Sequence, residues 1–151
     1  MHIIAAKAVA FREAQQPEFV AYQKQVLSNA KSLAAALIEQ GFDLITGGTD
    51  THLVLVDLRS KKISGKEAER LLEEVQITAN KNVIPYDSKG ANDPSGIRLG
   101  TPTLTSRGMG LEEMKKIAAI IGGAIDHRSD QLYLNQLKKE VALLAGEFPV
   151  Y

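Results

Sequence analysis

The residue type best suited to hold a small charged ligand in this sequence is an arginine flanked by glycines. Arg98 lies in the run SGIRLGTP, residues 95–102, a short strand-like stretch that follows a polar segment. A guanidinium presents paired donors in a rigid fork that matches a carboxylate or a phosphate. Arg98 is therefore a candidate for binding an anionic substrate. The alternative is an ion pair with an Asp or Glu of the same chain, which composition alone favours because structural pairs outnumber ligand clamps.

The other residues that could do chemistry form no common catalytic motif. The histidines His2, His52 and His127 are far apart, and none forms the i, i+4 pair of a zinc protease, so we expect no metal site. The chain contains no nucleophile elbow, phosphate-binding loop or dinucleotide fingerprint. Gly47–Gly48 is interpreted first as a turn. The absence of cysteine excludes a disulfide, a thiol nucleophile and a zinc ribbon.

Length and charge limit the classes of partner. The 151 residues, 44% hydrophobic and 24% charged, fit one globular domain spanning positions 1–151. The 18 basic residues balance 18 acidic ones, so we expect no nucleic-acid partner. No apolar run approaches the roughly 18 residues of a membrane helix, so we expect no membrane partner and a cytoplasmic location.

Periodicity and end signals predict five helices. The first covers Met1–Phe11, where Lys7 interrupts an apolar run that would otherwise resemble a signal peptide. A long amphipathic helix runs from Pro17 to Gly41. Ser64 and Glu67 form a capping box that starts a helix over Gly65–Val75. The last two helices cover about Leu111–His127 and Asp130–Leu144, the latter with Leu132, Leu137, Val141 and Leu144 on its apolar face.

Short strands separate these helices. Phe42–Ile45 and His52–Leu58 are predicted to form a β-hairpin around the glycine turn. A further strand is expected near the apolar pair Val83–Ile84, and another over Ile97–Leu99. Between the two, Pro85–Pro94 has turn formers without a hydrophobic period, which indicates an exposed, mobile loop. The predicted class is α+β, with a small, mainly antiparallel sheet and helices packed on one face.

Six ordered sequence blocks resemble the C-terminal domain of serine hydroxymethyltransferase. They occur in the order and at the spacing of that family, and the resemblance covers essentially the whole chain. The blocks are HIIAAKAVAF at residues 2–11, TGGTD at 46–50 with HLVLVDLR at 52–59, GKEAE at 65–69, NKN at 80–82, SGIRLGTP at 95–102 and LTSRG at 104–108.

The resemblance implies a pyridoxal-phosphate (PLP) enzyme of the aminotransferase-like fold, known as fold type I. Such enzymes interconvert serine and tetrahydrofolate with glycine and 5,10-methylenetetrahydrofolate, and they are homo-oligomers. Their cofactor is bound by a lysine in the large domain, in a Thr-rich segment that ends in His-Lys. This sequence has no such segment. We therefore expect no catalytic residue in this chain, no PLP bound to it alone and no activity without the large domain.

The resemblance assigns two kinds of site residue. Arg98 matches the arginine that binds the carboxylate of the substrate amino acid, serine or glycine, which reverses the preference for an internal ion pair. Asn82 matches a residue that contacts the folate. Gly90, Ala91 and Asn92 occupy the folate-side loop, where the family often has Ser-Pro-Phe. Two explanations stay open: the exposed loop tolerates variation, or the parent enzyme handles folate differently. His52 lies in a matching block and has no assigned role.

Two other functions compete with this one. The altered loop fits a folate-independent PLP aldolase or transaldolase relative. A different class of function is a free-standing, non-catalytic interaction or regulatory module that pairs with a full-length enzyme.

Overall fold

Six α-helices and four β-strands make up the part of the chain that the computed structural model describes, residues 1–150. Tyr151, the last residue of the predicted domain, lies outside the described residues. The α+β class predicted from the sequence is confirmed. The elements are α1 (His2–Ala14), α2 (Pro17–Glu39), β1 (Asp43–Leu44), β2 (Leu53–Asp57), α3 (Gly65–Glu74), β3 (Asn80–Asn82), β4 (Gly96–Gly100), α4 (Pro102–Ser106), α5 (Leu111–Asp126) and α6 (Gln131–Glu147).

The strands form one antiparallel sheet in the order β1-β2-β4-β3. In the two central strands Val54 pairs with Leu99 and Val56 with Ile97, and all four side chains are buried in the core with the helices. Alternate residues of a strand point to opposite faces. Arg98, between Ile97 and Leu99, is accordingly exposed. One face of the sheet is covered by helices. On the other face, called the open face below, Arg98 and Asn80 are exposed, as antiparallel sheets allow.

The ends of α2 follow from local signals in the sequence. Pro17 occupies the first helical turn, where its missing N–H needs no partner. At the other end Gly41 has φ of +77°, a conformation that glycine adopts without a Cβ clash. The Phe42 N–H donates to the Leu37 carbonyl oxygen at 3.0 Å, which closes the helix with a Schellman pattern. The predicted helix from Pro17 to the glycine stop is therefore confirmed.

Two further predictions that depend on local signals are confirmed. β1 and β2 pair antiparallel as the predicted hairpin. The Ser64 side chain accepts from the Glu67 N–H at 3.2 Å, and Glu67 accepts from the Ser64 N–H at 3.0 Å, so the capping box at the start of α3 is complete. The hydrogen bond from the Ser64 N–H also lowers the pKa of Glu67.

Three sequence predictions need correction. The third strand is the polar Asn80–Asn82, not Val83–Ile84, because it is an edge strand whose pairing with β4 requires no apolar side chains. Pro102–Ser106 forms the unpredicted α4, which is too short to show a helical period. Leu132 lies in the first turn of α6 and is 84% exposed, and the buried face of α6 begins at Leu134 instead.

α1 is unusual because no residue of His2–Ala14 is buried. Ile3, Ile4, Val9 and Phe11 are between 57% and 67% exposed. At 100° per residue, Ile4 and Val9 lie about 140° apart around the helix, so apolar side chains are not confined to one face. A helix that is apolar on several faces is normally buried by other elements. No helix within the described range is long and apolar enough to cross a membrane.

Candidate functional site

All the residues predicted to bind ligands lie on one β-hairpin. β3 and β4 pair antiparallel, with Asn80 opposite Arg98 and Asn82 opposite Gly96. The segment 83–95 joins the two strands, and Gly90, Ala91 and Asn92 are exposed near its tip. Pairing places Asn82 diagonally across from Arg98, a separation of about 7–8 Å between such neighbours. The hairpin therefore brings Arg98 and Asn82 together on the open face of the sheet, with the loop at its end.

Within residues 1–150, Arg98 has no internal charge partner. Its side chain is exposed, and no Asp or Glu within residues 1–150 forms an ion pair with it. The internal ion pair that composition favoured is thus absent from the described chain. An unpaired guanidinium on an open sheet face keeps both its charge and its fork available to an anion.

Two other charged residues near the hairpin are paired. Arg59 binds the Asp57 carboxylate through Nε at 3.0 Å and through Nη2 at 2.6 Å. The hydrogen bond from the Arg59 side chain holds the pKa of Asp57 below its ordinary value. Lys81 alternates with the two asparagines of β3, and its ammonium lies 2.9 Å from the Glu69 carboxylate of α3. Arg59 and Lys81 thus each have a carboxylate partner, whereas Arg98 has none within residues 1–150.

Close backbone packing determines the spacing of the strands beside Arg98. A Cβ atom on Gly96 would lie 2.5 Å from Ile84 Cγ2, 2.8 Å from the Val56 carbonyl oxygen and 3.0 Å from the Asn82 carbonyl oxygen. These distances leave no room for a side chain. A glycine at position 96, two residues before Arg98, is therefore required for β2 and β3 to approach β4 at this point.

Buried polar contacts hold the other end of β4. Thr101 is fully buried, and its hydroxyl donates to the Val26 carbonyl oxygen of α2 at 2.9 Å. Asn29, also buried, donates through its amide to Thr105 Oγ1 and to the Met109 carbonyl oxygen, each at 2.9 Å. α2 therefore anchors the segment that follows Arg98.

The loop between the strands is tied at its base. The Asp87 carboxylate accepts from the Ser95 N–H at 2.8 Å, from the Ser95 hydroxyl at 2.8 Å and from the Lys89 N–H at 3.0 Å. These hydrogen bonds, the one from the Ser95 N–H first, hold the pKa of Asp87 well below its ordinary value. The tip closes in a turn in which the Asp93 N–H donates to the Gly90 carbonyl oxygen at 3.1 Å. The base of the predicted loop is therefore ordered by hydrogen bonds, and the tip is exposed.

The glycine turn and the histidines take no part in this hairpin. Gly47 has φ of +67°, and the Thr46 hydroxyl donates to the Gly48 carbonyl oxygen at 2.6 Å, so Gly47–Gly48 is a turn. His52 is exposed, and its carbonyl oxygen accepts from the Thr101 N–H at 3.2 Å. Over the residues that are described, no three His, Asp or Glu side chains cluster as metal ligands would.

Two residues of the hairpin were not singled out by the sequence. Asn80 faces Arg98 directly across the strand pair and is exposed. Its two-residue spacing from Asn82 is the signal that could have placed both on one face of a strand. Asp87 gave no such signal, because its contacts with Ser95 exist only once the loop has folded.

The similarity of this chain to known proteins covers the whole hairpin. The family model described as serine hydroxymethyltransferase matches residues 1–121. The chain is also 53% identical, over all 151 of its residues, to a protein named serine hydroxymethyltransferase from Acidobacterium capsulatum. It spans 35% of the length of that relative.

Proposed function

The chain belongs to the serine hydroxymethyltransferase family, and on that premise we propose that it is the C-terminal small domain of such an enzyme. Positions 1–151 would form this domain as one unit, with the small-domain architecture of fold-type I PLP enzymes. The antiparallel sheet with helices on one face supports this assignment. The whole enzyme would interconvert serine and tetrahydrofolate with glycine and 5,10-methylenetetrahydrofolate.

The observation that carries this proposal is that Arg98, on the open face of the sheet, forms no ion pair within the described residues 1–150. A carboxylate of serine or glycine would accept two parallel hydrogen bonds from its guanidinium. Fixing the carboxylate orients the bonds at the α-carbon, so the arginine contributes positioning and moves no proton. Burial of Ile97 and Leu99 on either side, together with the tight packing at Gly96, holds the backbone from which Arg98 projects.

The loop side of the hairpin would contact the folate. The Asn82 amide donates to the Val83 carbonyl oxygen at 2.7 Å, and its own side-chain oxygen remains an acceptor. Gly90 and Ala91 carry no polar side chain, so they would contact a folate through backbone groups. Asn92 adds an amide in the place where the family often has an aromatic ring. Folate recognition by this loop would therefore depend on hydrogen bonds more than on stacking.

The Thr-rich segment ending in His-Lys that holds PLP in this family has no counterpart in this chain, so its residues alone would not form a PLP site. In the whole enzyme PLP would supply the electron sink for chemistry at the α-carbon. The β3 lysine, Lys81, has its ammonium 2.9 Å from the Glu69 carboxylate, on α3. The lysine that binds the cofactor would come from the part of the enzyme that this chain does not span, and the chain alone would be inactive.

That same part of the enzyme would cover α1. The chain spans only 35% of the length of its relative, so the remaining polypeptide is almost twice as large as this domain. α1 exposes Ile3, Ile4, Val9 and Phe11 on several sides. We assign this apolar surface to contact with the large domain, which would bury the helix as its composition requires.

A chimera tests the proposed function. In it this chain replaces the matching 35% of the Acidobacterium capsulatum enzyme, and glycine formation from serine is measured with and without tetrahydrofolate. We expect tetrahydrofolate-dependent turnover that falls about a hundredfold in kcat/KM for serine in Arg98→Lys, because lysine keeps the charge and loses the fork. Arg70→Lys, on the exposed surface of α3, is the matched control.

Three results would contradict the proposal. The first is glycine formation that does not depend on tetrahydrofolate, which would favour the aldolase alternative. The second is full activity of Arg98→Lys. The third is stoichiometric PLP capture with serine cleavage by the isolated chain. The last result would show that this chain carries its own cofactor site.

A further inference from the structure

Asp87 connects the two ends of the loop that carries Gly90–Asn92. One carboxylate oxygen accepts from the Lys89 N–H and the Ser95 hydroxyl, and the other accepts from the Ser95 N–H. The second oxygen also lies 3.4 Å from the Ile84 nitrogen, at the start of the loop. A carboxylate can accept from all of these donors because both of its oxygens are acceptors.

The Ser95 end of the loop is also bound to the rest of the domain. The Ser95 carbonyl oxygen accepts from the Leu58 N–H at 2.9 Å, and the Pro94 carbonyl oxygen accepts from the Gly65 N–H at 2.7 Å. Ser95 is only 4% exposed. Three residues further along β4 is Arg98. The Asp87 side chain therefore links the exposed loop tip to the rigid strand that carries the substrate arginine.

We propose that Asp87 is a positioning residue that holds the Gly90–Asn92 tip at a set distance from Arg98 and so determines the affinity for tetrahydrofolate. The proposal rests on the function proposed above and deepens it. Asp87 touches neither substrate. It acts by keeping the folate-side loop closed at its base while Arg98 binds the amino acid. The two substrates are thereby aligned by one hairpin.

The first test is Asp87→Asn in the chimera. An asparagine has one acceptor oxygen and would turn an NH₂ group towards N–H and O–H donors, which breaks part of the network. We expect the KM for tetrahydrofolate to rise about tenfold, while the KM for serine changes less than about twofold. Ser95→Ala, which removes the hydroxyl donor only, should shift the KM for tetrahydrofolate in the same direction by less.

Asp93→Asn is the matched control for loss of a charge in the same loop. The Asp93 carboxylate lies 3.9 Å from Lys89 Nζ and is half-exposed, so its replacement should leave both KM values unchanged. Equal increases in both KM values for Asp87→Asn would show a merely structural role and overturn the proposal. An unchanged KM for tetrahydrofolate would overturn it as well.

A second measurement does not depend on activity. In the 151-residue chain, hydrogen exchange at the Lys89 and Ser95 amides should accelerate in Asp87→Asn and stay unchanged in Asp93→Asn. Unchanged protection of both amides in Asp87→Asn would overturn the proposed link whatever the enzyme does. Failure of the proposed function is recognised separately, because the unsubstituted chimera would then show no tetrahydrofolate-dependent turnover. That result would also overturn the role of Asp87 in folate affinity.

Discussion

Replacing Gly96 with alanine tests whether close backbone packing builds the site around Arg98. The new methyl group would lie 2.5 Å from Ile84 Cγ2, 2.8 Å from the Val56 carbonyl oxygen and 3.0 Å from the Asn82 carbonyl oxygen. Ile84 can change rotamer, but the two carbonyl groups belong to neighbouring strands and move only if the sheet separates. Extra methyl groups in packed interiors destabilise by about 1–3 kcal/mol, and we expect Gly96→Ala to lower the free energy of unfolding by about 3 kcal/mol.

Urea unfolding of the 151-residue chain, followed by circular dichroism, measures this change. Gly90→Ala is the matched control, because a Cβ there would meet no atom within 4 Å. Its free energy of unfolding should stay within about 0.5 kcal/mol of the parent chain. A double-mutant cycle with Ile84→Ala separates the side-chain clash from the backbone clash.

Two results would refute this reasoning. One is a loss of less than about 1 kcal/mol for Gly96→Ala, below the usual range for overpacking. The other is a cycle in which truncating Ile84 removes the whole effect, since the carbonyl oxygens of Val56 and Asn82 would then play no part in determining the strand spacing.

Two further predictions concern the elements that support the hairpin. Asn29→Ala leaves the buried Thr105 hydroxyl and Met109 carbonyl without their donor. Urea unfolding should therefore show that the free energy of unfolding falls by about 2–3 kcal/mol. A decrease of less than about 0.5 kcal/mol would contradict this prediction. Because the Ser64 N–H lowers the pKa of Glu67 below 4.5, the stability from this bond is complete above pH 4.5 and is lost as the pH falls below it. Glu67→Gln should therefore unfold with a weaker acid dependence, and urea titrations with identical pH dependence would argue against the capping interaction.

Predictions from the sequence succeeded where the physical cause is local. Pro17 and Gly41 mark the ends of α2 because φ at each is a property of one residue. The Ser64–Glu67 capping box spans one helical turn, so its partners are visible in the sequence. Prediction was wrong for the third strand, because Asn80–Asn82 forms a strand only through pairing with β4.

The sequence by itself determined the family, the α+β class and the candidate Arg98, because ordered motifs and local conformational preferences are written along the chain. Tertiary structure decided that Arg98 has no ion-pair partner within residues 1–150 and that Asn80 and Asn82 share its hairpin. It also decided that Asp87 closes the loop between them. These relations depend on strand register and on contacts between residues distant in sequence. No local preference encodes them, because each exists only when the chain has folded.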